Sequence, residues 1–582
     1  MSLSLHHLPE EILYHILSYC PPTTCAALNG TASYFHGVSN EPRLWRLYCQ
    51  RSFQHWDPRH DLPSKLAGPV AVVEWKDLYV ARHRVDRTTR HLLDGILAEQ
   101  TGRMEKFRAL VELGCDVKDT LLRNCAPDAR QDDVLARTYY ARALLNALHR
   151  NIAVPQWTRL RRGEPVSLEQ ALGTFDLFLP ESTFRGLEEI SARLDEIAGQ
   201  ISHTDPEFDS RTSRDKAKAV LAYLRGNGLT GMDGRREYHS IDHNFLGLAL
   251  QDPGHNSLPL VSAVLYCAVA RRLGLDARPC GIPFHVYVTV VPAAGYDMDD
   301  NALEPGTVGA ALYLDPFRSP RETPVADLHS QLALLGASPA QQRIFLSGSR
   351  TAEIVLRCSQ SISDSVNLQV QLPGVHLSAP VDLNSARYAA LWASILLLPA
   401  SRSRERRDQL PWFLELFATE FPCDLYLVER HLAPLFAGTV EHEQILRCLH
   451  VIRAVDEIPR PVKRRTAEHS HIQYRVGEVF RHRRYGYTGI ITGWDTECDA
   501  GERWMRRMGV DRLAGGRHQS FYHVLVEDKS VRYVAEENIT RIQPHEADLP
   551  PTLIAIAGKH FKRWDDDRCV FISNITDEYP DD

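Results

Sequence analysis

The chain changes its period near residue 474, from helical spacing to an alternation of two. In Phe521-Tyr-His-Val-Leu-Val526 aromatic and aliphatic side chains alternate between two faces, Asp528-Lys529-Ser530 has turn chemistry, and Val531 to Val534 reads as the return strand. Gly486, Gly489 and Gly493 are spaced for tight turns or bulges, so a small, strongly bent β-barrel is expected over 474–545. Upstream the spacing is helical. Ile12, Leu13, Ile16 and Leu17 share one face, and further helices are expected at Leu92–Leu113, Asp132–His149, Ser182–Gln200, Arg214–Arg225, Tyr388–Leu398 and Pro411–Leu435. A helix from about 260 to 273, then extended runs at 285–291 and 311–314, marks a small sheet within the helical part. With 582 residues the chain also exceeds what one core supports. The expected class is multidomain α+β: a three-helix N-terminal unit, a mainly helical middle with a small sheet, and a small C-terminal β-barrel. The basic, proline-containing run Arg460–Arg465 reads as part of a linker over 456–473. The stretch 546–582, with Trp564-Asp-Asp-Asp567 and Pro580-Asp-Asp582, reads as a solvated acidic tail.

Bulk properties exclude several function classes. A formal net charge of -7 offers no whole-molecule attraction to nucleic acid or to an anionic membrane. Twelve cysteines are scattered without a Cys-x-x-Cys pair, which fits neither a zinc framework nor a disulfide scaffold. The start lacks the basic and apolar regions of a signal peptide. The most apolar run, Ala389–Leu398, stops at Pro399, far short of the roughly 20 residues of a membrane span. His239, Asp242, His243 and His255 carry metal-ligand side chains but match no zinc motif, and they are expected as solvated loop residues. The expectation is an intracellular, reduced chain, cytoplasmic or nuclear, with no metal, no cofactor and no membrane partner.

The N-terminal Leu8-Pro-Glu-Glu-Ile-Leu13, with Leu44-Trp45 further on, resembles an F-box over residues 4–52. Pro9 suits a helix start, and Glu10 and Glu11 suit the positive end of its dipole. So small a unit cannot bury all its apolar side chains, and each one left exposed forgoes about 1.5–3 kcal/mol, so a partner surface is expected. The resemblance implies docking on the Skp-type adaptor of a cullin-RING ubiquitin ligase through Leu8, Pro9, Ile12, Leu13, Ile16, Leu17, Leu44 and Trp45.

The region 74–455 has its core at 182–320. There Asn256-Ser-Leu-Pro-Leu-Val-Ser262, Val269-Ala-Arg-Arg-Leu-Gly-Leu275, Gly281-Ile-Pro-Phe-His285 and Tyr313-Leu-Asp-Pro-Phe317 resemble a SirB-type transglutaminase-like domain. In catalytic relatives a helix N-terminus and a neighbouring histidine activate a cysteine thiolate. The resemblance puts His285 in the base position and Asp315 in the orienting position, but Pro259 in the nucleophile position. A pseudoenzyme without catalytic residues is therefore expected. Cys280, five residues before His285, is the alternative nucleophile for an acyl transferase or hydrolase. Local strand geometry separates the two side chains and favours a buried, inert thiol.

Tyr474-Arg-Val-Gly-Glu-Val-Phe-Arg-His-Arg-Arg-Tyr-Gly-Tyr-Thr-Gly-Ile-Ile-Thr-Gly-Trp494 and the run Ser520–Ile539 resemble a YccV-like, HspQ-type domain, a family linked to hemimethylated DNA and to protein turnover. Twelve basic residues against ten acidic ones leave a surplus of two over 474–542, weak for a phosphate-driven binder. The concentrated patch is Arg481, Arg483 and Arg484 beside Tyr485 and Tyr487, with Trp494 as a further aromatic. Such a patch suits unstacked bases, an acidic or phosphorylated protein tail, or bracing of the turn itself. Together the three resemblances imply an F-box substrate receptor of an SCF-type ligase that recruits protein clients, with nucleic-acid binding by the barrel as the alternative.

Overall fold

The computed structural model describes residues 5–128, 131–180, 186–232, 238, 240–371 and 381–582. The chain divides into two compact units, residues 1–148 with 453–582, and residues 149–452. The class is multidomain α+β.

The first unit opens with four short helices, Glu10–Tyr19, Pro22–Asn29, Ser33–Ser39 and Pro42–Ser52. Cys20-Pro21-Pro22 ends the first helix and restarts the chain at a proline. Leu13, Leu17, Leu44, Trp45 and Tyr48 form a shared core, and Trp75, first residue of the helix Trp75–Ala98, packs into it. Buried polar atoms are satisfied inside: Tyr48 Oη donates to the Leu17 carbonyl at 2.6 Å and Trp45 Nε1 to the Ser39 carbonyl at 2.7 Å. A fully buried guanidinium fastens this core to the helical segment 114–125. Arg82 lies 4.5 Å over the Phe53 ring and pairs with Asp116 at 3.3 Å and Asp119 at 2.8 Å.

The same unit carries the C-terminal sheet, whose strands are β4 (Val479–His482), β5 (Thr488–Asp495), β6 (Phe521–Val526), β7 (Val531–Ala535) and β8 (Ile539–Arg541). They form a barrel-like antiparallel sheet in the order β7-β6-β5-β4-β8. The register slips between Ile491 and Gly493, and a Cβ at Gly493 would stand 2.5 Å from the Tyr579 hydroxyl. The stretch expected as a solvated tail is folded. It forms the helix Pro551–Ala557 and a hairpin of β9 (Phe561–Asp565) and β10 (Val570–Ser573), and Phe561, Trp564, Phe571 and Tyr579 join the barrel core. The acidic composition hid the alternating aromatics. The expected linker is also anchored: Lys463 pairs with Asp495 at 2.6 Å, and Arg465 donates to the Tyr474 carbonyl at 2.7 Å.

The second unit is built around the helix Pro259–Arg272, which is buried from Pro259 to Ala270. Helices Leu168–Asp176, Leu187–Thr204, Ser213–Gly226, Thr351–Gln371 and Leu383–Leu397 supply the surrounding core. The small sheet is antiparallel, β1 (Asp276–Pro279), β2 (Val288–Val291) and β3 (Leu312–Leu314) in that order. The helix expected from Pro411 starts earlier, at Ser403, and runs through that proline to Glu420.

Candidate functional site

The loop between β1 and β2 carries His285, and β3 is followed directly by Asp315. His285 Nε2 lies 2.8 Å from Asp315 Oδ2, while Asp315 Oδ1 accepts from the Phe317 and Arg318 backbone N–H groups at 3.2 and 3.1 Å. A carboxylate only accepts, so Nε2 donates to it, and in the neutral imidazole Nδ1 then carries the lone pair. That Nδ1 is buried and has no hydrogen-bond partner among the described residues. The ring is held edge-on to Tyr287 at 4.8 Å.

Pro259 occupies the first position of its helix, where a missing N–H costs nothing. The start of the helix is tied down by Ser262, whose Oγ accepts from the Gly231 N–H at 3.1 Å and shares a 2.7 Å hydrogen bond with Ser257. Pro259 and His285 line one cavity of about 560 Å³, so the structure brings these two expected site residues together and joins Asp315 to them through the imidazole. Among the described residues lining the cavity there is no thiol. Phe284, at the same cavity, is 90% exposed and has φ +65°. A bulky residue held in the left-handed region costs about 1–2 kcal/mol, a strain that the surrounding structure must hold in place.

Cys280 is not placed for nucleophilic attack. It is fully buried with Ile282, Leu328 and Leu346 in a separate apolar cluster, its Sγ lies 3.7 Å from the Leu346 carbonyl, and burial pushes its thiol up to about 12. The cluster of His and Asp side chains nearby also differs from expectation: His243 is 3% exposed and Asp242 half-buried, so neither is a solvated loop residue. His255 Nδ1 lies 2.9 Å from the Ala249 carbonyl, His239 lies outside the described residues, and among those described no three such groups converge on a metal geometry.

In the first unit the expected adaptor-binding residues split into two sets. Leu13, Leu17, Leu44 and Trp45 are 3% exposed or less and form the unit's own core, so they cannot also contact a partner. Helical spacing could not separate the two faces because the third and fourth helices were needed to show which face is covered. Leu8 is half-buried and Pro9 exposed. Ile12 and Ile16 remain 47% and 41% exposed, and Tyr19, missed in the sequence although it lies seven residues after Ile12, is 75% exposed. These three form an apolar stripe on the outer face of the first helix.

On the barrel, Arg481, Arg483, Arg484 and Tyr485 are exposed around the β4–β5 turn. The rings of Tyr485 and Tyr487 are stacked at 6.5 Å and 8°, the Arg484 guanidinium sits 5.4 Å from the Tyr485 ring, and Arg532, also missed, sits 4.3 Å from the Tyr487 ring. Arg483 Nε donates to Thr540 Oγ1 at 3.0 Å. Trp494 does not belong to this patch. It is 2% exposed, its Nε1 donates to Asp582 Oδ2 at 2.8 Å, and Tyr579 and Arg465 cover its ring. The folded C-terminal stretch buries it.

Comparison with known proteins gives three matches along the chain. Residues 5–51 match an F-box-like family, residues 188–360 a transglutaminase-like superfamily, and residues 472–568 a family described as hemimethylated DNA-binding protein YccV like. F-box only protein 21 of Mus musculus is 28% identical over 623 residues, and those of Homo sapiens and Pongo abelii are each 24% identical, all across 99% of this chain and 92% of theirs. No solved structure gives a significant match. The chain thus carries an F-box-like, a transglutaminase-like and a YccV-like domain in that order.

Proposed function

We propose that a chain with these three domains is a substrate receptor of an SCF-type ubiquitin ligase, docking on a Skp-type adaptor through its F-box and presenting protein clients through its other domains. The observation that carries this reading is the Ile12–Ile16–Tyr19 stripe, left in solvent by an F-box-like unit whose own core is already closed. With 47% and 41% of their surface still exposed, burying the two isoleucines on a partner is worth about half of a full side-chain burial, roughly 0.7–1.5 kcal/mol each. The transglutaminase-like cleft serves this role as a binding site without turnover: its base is oriented, but a proline stands where a thiolate would be needed. Catalysis belongs to the rest of the ligase, and the receptor contributes proximity and effective concentration.

The test is affinity capture of the wild-type chain and of an Ile12→Asp/Ile16→Asp variant from cells with the proteasome inhibited. The adaptor and cullin co-purify with wild type and not with the variant, while ubiquitylated proteins stay with both. If neither subunit accompanies the wild type, the receptor reading is wrong. A second reading for the barrel rests on the stacked Tyr485–Tyr487 pair flanked by Arg484 and Arg532, which suits bases of a single strand as well as an acidic peptide. Binding of a labelled oligonucleotide that weakens steeply with salt supports it, and salt-insensitive or absent binding removes it.

A further inference from the structure

Three cavities of the second unit meet at Gln360, midway along the helix Thr351–Gln371. The first, about 560 Å³, is the Pro259–His285 cleft. The second, about 550 Å³, passes Asn367 and Arg387 to reach Trp412. The third, about 670 Å³, passes Arg357 and Ser394 to reach Ile344. Each holds one large apolar side chain that the fold leaves in water: Phe284 at 90%, Trp412 at 68% and Ile344 at 67% exposed. In the third wall Arg350 pairs with Glu353 at 2.7 Å and Arg402 with Glu405, while Arg357 donates to the Ile282 carbonyl at 2.9 Å.

A small-molecule site encloses its ligand in one pocket. Open pockets in series, each with an apolar station and polar walls between, match a chain whose side chains are spaced along a backbone. The backbone itself must bring hydrogen-bond donors, and with the imidazole neutral the cleft offers an acceptor: His285 Nδ1, which is buried and has no partner among the described residues.

We infer that this groove holds an extended, unfolded stretch of client polypeptide. One backbone N–H of the client donates to His285 Nδ1, and client apolar side chains rest on Phe284, Trp412 and Ile344. This deepens the receptor reading and rests on it for the source of the polypeptide. In this arrangement the proline at 259 has a purpose: it leaves the oriented imidazole free to hold an amide without attacking it.

The test uses the full chain and fluorescein-labelled, reduced and carboxymethylated α-lactalbumin, a permanently unfolded probe, followed by anisotropy. Wild type binds saturably. Gln360→Arg, which places a bulky cation where the three cavities meet, and Trp412→Ala each weaken binding by about 10-fold or more, the equivalent of losing one large apolar contact. Both positions are exposed, so neither change threatens the fold. His285→Ala weakens binding as well, but its buried position leaves the decision to the two exposed variants. Absence of probe binding, or equal affinity in wild type, Gln360→Arg and Trp412→Ala, overturns the inference. The receptor reading is separable. Gln360→Arg and Trp412→Ala still capture the adaptor, whereas Ile12→Asp/Ile16→Asp loses the adaptor and still binds the probe.

Discussion

Asp176 ends the helix Leu168–Asp176 in the core of the second unit, and replacing it by asparagine should stabilise the protein only at high pH. The residue is completely buried; its Oδ1 accepts from the Leu248 N–H at 3.1 Å and its Oδ2 has no partner among the described residues. Burial pushes its carboxyl from 3.8 up to about 7, against the smaller opposing effect of the Gly247 and Leu248 N–H groups. The folded chain therefore holds a proton that the unfolded chain releases near pH 4. Between about pH 4 and pH 7 unfolding releases this proton, so stability falls as pH rises. At 1.36 kcal/mol for each tenfold difference in proton affinity, the loss completed above pH 7 is about 4 kcal/mol. Asp176→Asn keeps the acceptor for Leu248 and never ionises. Near pH 5 it should match wild type within about 1 kcal/mol, because a protonated acid and an amide leave similar groups unpaired. At pH 8.5 it should be more stable by about 2–4 kcal/mol, raising the calorimetric transition of the second unit by about 3–6 °C. Differential scanning calorimetry of the full chain at both pH values reads this directly. A variant destabilised by the same amount at both would show that the carboxylate is ionised in the fold and anchors Leu248, refuting the reasoning.

Further expectations concern each site. Cys280→Ala should leave folding and probe binding nearly intact, and wild-type Cys280 should resist iodoacetamide at pH 7.5 in the native state; rapid labelling mapped to Cys280 by peptide mass spectrometry would reopen it as a nucleophile. Pro259→Cys should place a thiol at a helix N-terminus in the cavity that His285 lines, so its alkylation at pH 7 should exceed that of the same variant with His285→Ala; equal rates would mean the imidazole no longer serves that position. Trp494→Ala should lower stability by about 3–5 kcal/mol, as loss of a buried aromatic does, with a matching drop in the barrel's melting transition; an unchanged melt would place the ring outside the core. If the barrel binds a labelled single strand, Arg483→Ala/Arg484→Ala should reduce the slope of log affinity against log salt by about 2, and an unchanged slope removes both arginines from the phosphate contacts.

The sequence showed those features that a short local pattern determines. Period-two alternation placed β6 and β7, helical spacing after Pro9 placed the first helix, and the resemblance to a transglutaminase-like domain paired His285 with Asp315, which lie 2.8 Å apart. What it could not show depends on which surface a distant segment covers. Leu13 and Ile12 look equivalent in a helical pattern until Trp45 and Trp75 cover one of them. Trp494 looked like a binding aromatic until Tyr579 and Asp582 covered it. The acidic runs near 564 and 580 masked a hairpin whose aromatics lie on the inward face. The groove at Gln360 was illegible for the same reason, because its walls come from segments more than a hundred residues apart, Pro259 and Trp412 among them.

The central claim is that the exposed stripe of the first helix is an adaptor-docking face. Titration calorimetry of the purified chain with a purified Skp-type adaptor tests it most directly. The account predicts a measurable complex with wild type, and a loss of about 10-fold or more in affinity for Ile12→Asp/Ile16→Asp, equal to losing the exposed half of two isoleucine side chains, with the melting temperature unchanged. Equal affinity for wild type and variant, or no complex with wild type, would contradict it.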